Sequence, residues 1–193
     1  MRSINTLKDL LKIIKEHPEH DKLMVFFDLD LTLIWTENSD EDTLIEEKVT
    51  KELFDFLHEK QIWYTFCTAR YHNVVLVQKK RDSHRKEMTE NIEKLYDIFE
   101  SLGIDCSQYR KKNSEMIVLK KAGKPVGILY KGILLGDKKG PIIKQFREEY
   151  NLEKSHPHVI FIDDVDRYLT SVSRHVPGSI VIRREIDEDF IGD

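Results

Sequence analysis

Two aspartates stand two residues apart directly behind an apolar run: Leu23-Met24-Val25-Phe26-Phe27 leads into Asp28-Leu29-Asp30-Leu31-Thr32. Paired carboxylates are the residue types for nucleophilic attack and for proton transfer. In an extended chain a spacing of two puts both on one side and turns Leu29 away. A second acidic pair, Asp163-Asp164, closes the apolar run Val159-Ile160-Phe161-Ile162. Thr68 closes a third run, Ile62 to Cys67, and Lys138-Lys139-Gly140 opens a patterned helix. A lysine at a helix start sits where backbone N–H groups also favour anions. Acids, a hydroxyl and a lysine would therefore meet if these strand ends share an edge.

The elements needed to bring them together are legible. Short, continuous apolar runs suit strands buried on both faces, as in a parallel sheet. Helical spacing appears at Leu7, Leu10, Leu11 and Ile14; at Val49, Leu53, Phe56 and Leu57; and at Ile92, Leu95, Tyr96, Phe99 and Leu102, with Gly103 as terminator. Further helices follow Pro141 (Ile142, Ile143, Phe146, Tyr150) and run through Tyr168, Leu169, Val172 and Val176, before a last strand at Ile180 to Ile182. Thr36 to Asp42 reads as a loop. Met116 to Leu119 and Val126 to Leu135, joined through Ala122-Gly123-Lys124-Pro125, read as a hairpin inserted at 112–135. Alternating strands and helices predict a three-layer, Rossmann-like α/β fold, mainly parallel, with helices on both faces. One domain over 1–193 is expected, opened by an amphipathic helix within 1–20. In open parallel sheets ligands bind at the carboxyl ends of the strands, where the singled-out residues fall.

The set Asp28-x-Asp30-x-Thr32, Thr68, Lys139 and Asp163-Asp164 resembles the haloacid dehalogenase superfamily of aspartate-nucleophile phosphatases and phosphotransferases. The phrases F-F-D-L-D-L-T-L, F-C-T-A-R, G-I-L-L-G-D-K-K-G and V-I-F-I-D-D look like one bacterial subfamily within it. The resemblance spans roughly Leu23 to Ile182. It implies a Mg2+-dependent phosphatase working through an aspartyl-phosphate on Asp28. Mg2+ would be held by Asp28, the main-chain carbonyl of Asp30, and Asp164, with Asp163 behind it or bridged by water. Asp30 would be the general acid and base, Thr68 a phosphate-binding hydroxyl, and Lys139, with Lys138 as rival, the positive charge. The chemistry is consistent: phosphoryl transfer needs a nucleophile, offset of the phosphate's charge and a proton for the leaving oxygen. A carboxylate such as Asp28 is expected to be ionised at pH 7 unaided. A hard divalent cation would ease its approach to a dianion.

Composition excludes more than it proposes. The chain has 193 residues, 40% hydrophobic and 34% charged, with 35 acids against 31 bases and a net charge of -4. No global basic field for nucleic acid is present. No apolar run reaches the roughly 18 residues of a membrane span, and the N-terminus lacks a signal peptide's apolar core. With only two cysteines, Cys67 and Cys106, a disulfide scaffold is excluded, and a cytoplasmic setting is expected. Cys67 with Arg70 is too short a loop for cysteine-phosphatase chemistry, so Cys67 is read as core. His156-Pro157-His158 is read as a loop entering a strand. The basic run Lys79-Lys80-Arg81, with His84, Arg85 and Lys86, is read as a solvated helix face or a guide for an anionic substrate. Little chain is left for a cap, so an open site is expected. It would admit a phosphorylated small molecule, a nucleotide or a phosphoprotein. A phosphotransferase or mutase, and a non-catalytic phosphate-sensing or partner-binding module, are the alternatives.

Overall fold

The computed structural model describes residues 1–37, 41–70 and 81–186. The chain runs β1 (Arg2–Ile4), α1 (Leu7–Lys15), β2 (Leu23–Phe27), β3 (Ile34–Glu37), β4 (Glu41–Leu44), α2 (Glu47–Glu59), β5 (Trp63–Thr68), α3 (Arg81–Ser101) and α4 (Ser107–Lys111). It continues with β6 (Ile117–Lys121), β7 (Lys124–Tyr130), β8 (Ile133–Leu135), α5 (Lys139–Glu149), α6 (Leu152–Ser155), β9 (His158–Asp163), α7 (Asp166–His175) and β10 (Ile180–Arg184). An 8-stranded sheet takes the order β1-β10-β9-β2-β5-β8-β7-β6. The first six of these strands pair in parallel, and β7 and β6 add an antiparallel edge. Helices cover both faces, so the fold is the mainly parallel, Rossmann-like α/β architecture.

Strand β2 explains why the sheet is central. All five of its residues are buried, and alternate side chains enter different cores. Leu23, Val25 and Phe27 join α1, α2 and α3 on one face through Leu10, Phe54 and Phe99. Met24 and Phe26 join α5 and α7 on the other through Ile142, Phe146 and Leu169. Each such side chain contributes about 1.5–3 kcal/mol when taken from water, so two-sided burial favours continuous apolar runs over alternation. The rings add directional packing: Phe54 lies 5.5 Å from Phe27, 5.0 Å from Tyr64 and 5.2 Å from Phe99.

Local signals account for the helix ends. Thr6 Oγ1 accepts a hydrogen bond from the Asp9 amide at 3.2 Å and caps α1, whose Leu7, Leu10, Leu11 and Ile14 are all buried. Glu46, ahead of α2, accepts from the Leu7 amide at 3.0 Å and pairs with the buried Arg184 of β10, joining three elements. No helix among the described residues is long and apolar enough to cross a membrane.

Two readings of the sequence change. The polar stretch Thr36 to Asp42 is not plain loop, because β3 and β4 pair antiparallel as a separate ribbon. The expected second arm Val126 to Leu135 is broken at Lys131 and Gly132, both at positive φ, so β7 turns back into β8. The short β1, α4 and α6 carry too few residues for a periodic signal.

The contact between α5 and α7 is close at Gly140, where an added Cβ would lie 2.3 Å from the Ser171 carbonyl oxygen. Backbone cannot yield as a flexible side chain does. Gly140→Ala is expected to cost about 1–3 kcal/mol, as overpacked cores do; a lowered midpoint in urea unfolding checks it.

Candidate active site

Parallel register brings the site together. Phe27 of β2 pairs with Phe66 of β5 on one side and Ile162 of β9 on the other, so the carboxyl ends of three adjacent strands lie abreast. The Asp28 amide donates to the Ile162 carbonyl at 2.9 Å, holding Asp28 beside Asp163. The chain then turns sharply. The Leu33 and Ile34 amides both donate to the Leu29 carbonyl at 2.9 Å, and Leu31 takes a φ of 56°. This turn buries Leu29 and leaves Asp30 half-exposed at the rim.

Lys139, the first residue of α5, reaches back under this edge. Its Nζ donates to Asp28 Oδ1 at 2.5 Å and to Asp163 Oδ2 at 2.6 Å, with the lysine 1% exposed and the aspartates 4% and 0%. The Tyr168 ring lies 4.4 Å from the same ammonium. Lys138 is exposed, so of the two lysines it is Lys139 that the fold brings to the acids. Burial pushes the Asp28 carboxyl up to about 7, against the lowering pull of Lys139. Burial likewise raises Asp163 and Asp164. For Lys139 burial acts the other way, but Asp28 and Asp163 outweigh it and push the ammonium above its usual range. The expectation that Asp28 is ionised unaided is thereby corrected. In this dry position its charge depends on a compensating cation.

Asp28, Asp163 and Asp164 each offer an oxygen, and these oxygens lie within 4.8 Å of one another. Asp163 is already committed, since Oδ2 meets Lys139 and Oδ1 accepts the Val165 amide at 2.8 Å. Hard carboxylate donors in surplus over one ammonium fit a hard divalent cation such as Mg2+.

Asp30 is held by a residue the sequence reading set aside. Arg70 Nε donates to Asp30 Oδ1 at 2.7 Å, and its Nη1 and Nη2 donate to Asp42 Oδ2 and Oδ1 at 2.7 and 3.1 Å. Arg70 Nη2 also donates to Thr36 Oγ1 at 3.1 Å, so one guanidinium ties the β3–β4 ribbon to Asp30. Burial would lower the Arg70 guanidinium, yet Asp42 and Asp30 push it above its usual range. Burial would raise the Asp42 carboxyl, and hydrogen bonds from Arg70 and Thr36 hold it below the ordinary value instead. Thr68 is 2% exposed; its Oγ1 accepts the Arg70 amide at 3.0 Å, which leaves the hydroxyl proton to donate. The signal for Arg70 was its place two residues behind a strand end, but a guanidinium fork acquires its role only through Asp42, distant in sequence.

Burial pushes the Cys67 thiol up to about 12, which makes it a core residue rather than a thiolate nucleophile. His158 Nε2 lies 2.8 Å from Glu19 Oε2, and His156 Nδ1 lies 2.9 Å from Ser155 Oγ, on the loop leading into β9. Lys79 and Lys80 of the basic run lie outside the described residues, as do the side chains of residues 81–85.

No family model matches the chain, and no curated protein matches it. Among solved structures it is similar to the crystal structure of the N-terminal part of a Bacteroides fragilis protein, containing a phosphatase domain complexed with Mg. The identity is 17% and the TM-score 0.42, over 95% of this chain and 40% of that one, so the chain spans less than half of that structure's length.

The buried carboxyl makes stability pH-dependent. Asp28 keeps its proton up to about 7 when folded but releases it near 3.8 when free, so the folded state binds the extra proton between those values. The stability this carries is present at the acid end and falls as pH rises towards 7. In EDTA, the thermal midpoint of Asp28→Asn should therefore fall less between pH 5 and pH 7.5 than that of the parent. Scanning calorimetry at both pH values checks it, and equal falls would contradict the assignment.

Proposed function

We propose that this chain is a Mg2+-dependent phosphatase of the haloacid dehalogenase type, which hydrolyses a phosphate monoester through an aspartyl-phosphate on Asp28. The observation that carries the reading is the buried Asp28–Lys139–Asp163 cluster with Asp164 beside it, at the carboxyl ends of neighbouring parallel strands.

In the first step an Asp28 oxygen attacks phosphorus, and the bond to the leaving oxygen breaks. Asp30 gives that oxygen its proton, exchanging the Arg70 guanidinium for the substrate as it does so. In the second step the Asp30 carboxylate takes a proton from water, which attacks the same phosphorus and frees Asp28. Lys139 holds the nucleophile's oxygen in place and lends positive charge to the incoming phosphoryl group. The Thr68 hydroxyl donates to a phosphoryl oxygen. Asp28, the Asp30 carbonyl and Asp164 would hold Mg2+, with Asp163 positioning the set; bound there, the cation supplies charge offset for the phosphate and for Asp28. The β3–β4 ribbon is tied to the rim of this edge through Arg70, and the substrate would be a phosphate carried on a small molecule, a nucleotide or a protein.

The test is hydrolysis of an aryl phosphate with and without Mg2+. Activity is expected to need Mg2+ and to vanish in Asp28→Asn. In Asp30→Asn, kcat should fall by about 10²–10⁴, the usual share of a general acid. A wild-type chain inert towards a broad panel of phosphate monoesters would overturn the reading, as would an Asp28→Asn variant that keeps its rate.

A further inference from the structure

A cavity of about 650 Å3 opens at the other end of β5, around Trp63, roughly 17 Å from Thr68 at the usual rise of about 3.3 Å per residue. A second cavity of about 220 Å3, lined by Leu129, Phe146 and Tyr150, shares Trp63, Tyr109 and Lys112 with it. These three side chains are the partition between a polar chamber and an apolar one.

The partition holds a cation between two rings. Lys112 Nζ lies 4.3 Å from the Trp63 ring centre and 4.6 Å from that of Tyr109. No carboxylate among the described residues forms an ion pair with it. Burial alone pushes its ammonium below the usual range, with no acid pulling the other way. Both rings are themselves braced. Tyr109 stacks on the buried Tyr64 at 4.1 Å, and the His156 ring packs 5.6 Å from that of Trp63. On the polar side Asp21, His58, Lys60, Gln61 and Gln108 line the chamber; Lys60 Nζ donates to Glu59 Oε1 at 2.7 Å, and Asp105 accepts the Ser107 amide at 2.9 Å.

Fixed aromatic faces select a planar ring, and the unpaired ammonium selects a negative charge attached to it. Side-chain amides and imidazoles beside them suit the hydrogen-bonding edge of a nucleobase, and stacking of bases on aromatic side chains is a general source of affinity. The volume lies within the roughly 300–1,000 Å3 of small-molecule sites. We infer that this cleft is a second ligand site and takes a nucleoside monophosphate, whose base packs against Trp63 while Lys112 turns from the rings to the phosphate. The site stands apart from the acid cluster and does not rest on the phosphatase reading.

The chain has two tryptophans, so Trp35→Phe leaves Trp63 as its single tryptophan, which can be excited selectively over the tyrosines. The probe is adenosine 5′-monophosphate, titrated in EDTA so that no Mg2+-dependent hydrolysis consumes it. Saturable quenching with a Kd below about 1 mM is expected. Lys112→Gln should raise that Kd at least about tenfold, the effect of losing one ion pair, and Lys112→Arg should restore it. Adenosine and inorganic phosphate, each carrying half of the recognised chemistry, should bind more weakly than the intact nucleotide. Near-ultraviolet circular dichroism verifies that the Lys112 variants are folded. The proposal is overturned if no saturable change occurs, if Lys112→Gln binds as tightly as the parent, or if Asp28→Asn rather than Lys112→Gln abolishes the quenching.

Discussion

One buried ammonium governs the carboxyl edge of this sheet. Lys139 lies between Asp28 and Asp163, at 2.5 and 2.6 Å, where water is excluded. Without that ammonium, two carboxylates at adjacent strand ends would face each other in a dry setting, and one of them would stay protonated. With it, the acids can be carried at close quarters. A lysine so placed also has a cost of desolvation, which only paired charges offset. The arrangement therefore requires every group in it, and the rest of the molecule supplies the positions.

Those positions follow from packing. The two-sided burial of β2 fixes it between β9 and β5, and parallel pairing aligns the last residues of all three. Lys139 comes from the far side of the sheet, at the start of α5. Its reach depends on how closely α5 approaches α7, which the lack of a side chain at Gly140 permits. Beyond the edge, Arg70 does for the rim what Lys139 does for the floor. Its fork joins Asp30 to Asp42, so the ribbon of β3 and β4 is anchored to the same acid that is proposed to move the proton.

Much of this frame is written in local patterns. The apolar runs ending at Asp28, Thr68 and Asp163 mark β2, β5 and β9 to within a residue, because a strand covered on both faces has no polar alternation to blur it. What escapes is what depends on partners distant in sequence. The pairing of β3 with β4 joins the core at Ile34 and Leu44 but runs between them through a polar stretch, so hydropathy gives no sign of it. The break of the long hairpin arm at Lys131 and Gly132 needs positive φ at both residues, and lysine there is not a turn signal. Arg70 looks like an ordinary cation until Asp30 and Asp42 are placed around it. The raised titration of Asp28 also escapes, since the type of a residue gives its ordinary value and only its burial and its neighbours alter that.

The central claim is that Asp28 carries the phosphoryl group. The most direct measurement is to quench a reaction with aryl phosphate and Mg2+ in mid-turnover, reduce with borohydride and sequence the peptides by mass spectrometry. An acyl phosphate is reduced where a free carboxylate is not, so homoserine is expected at position 28, with Asp30, Asp163 and Asp164 unchanged. Turnover that continues while position 28 remains aspartate would contradict the account.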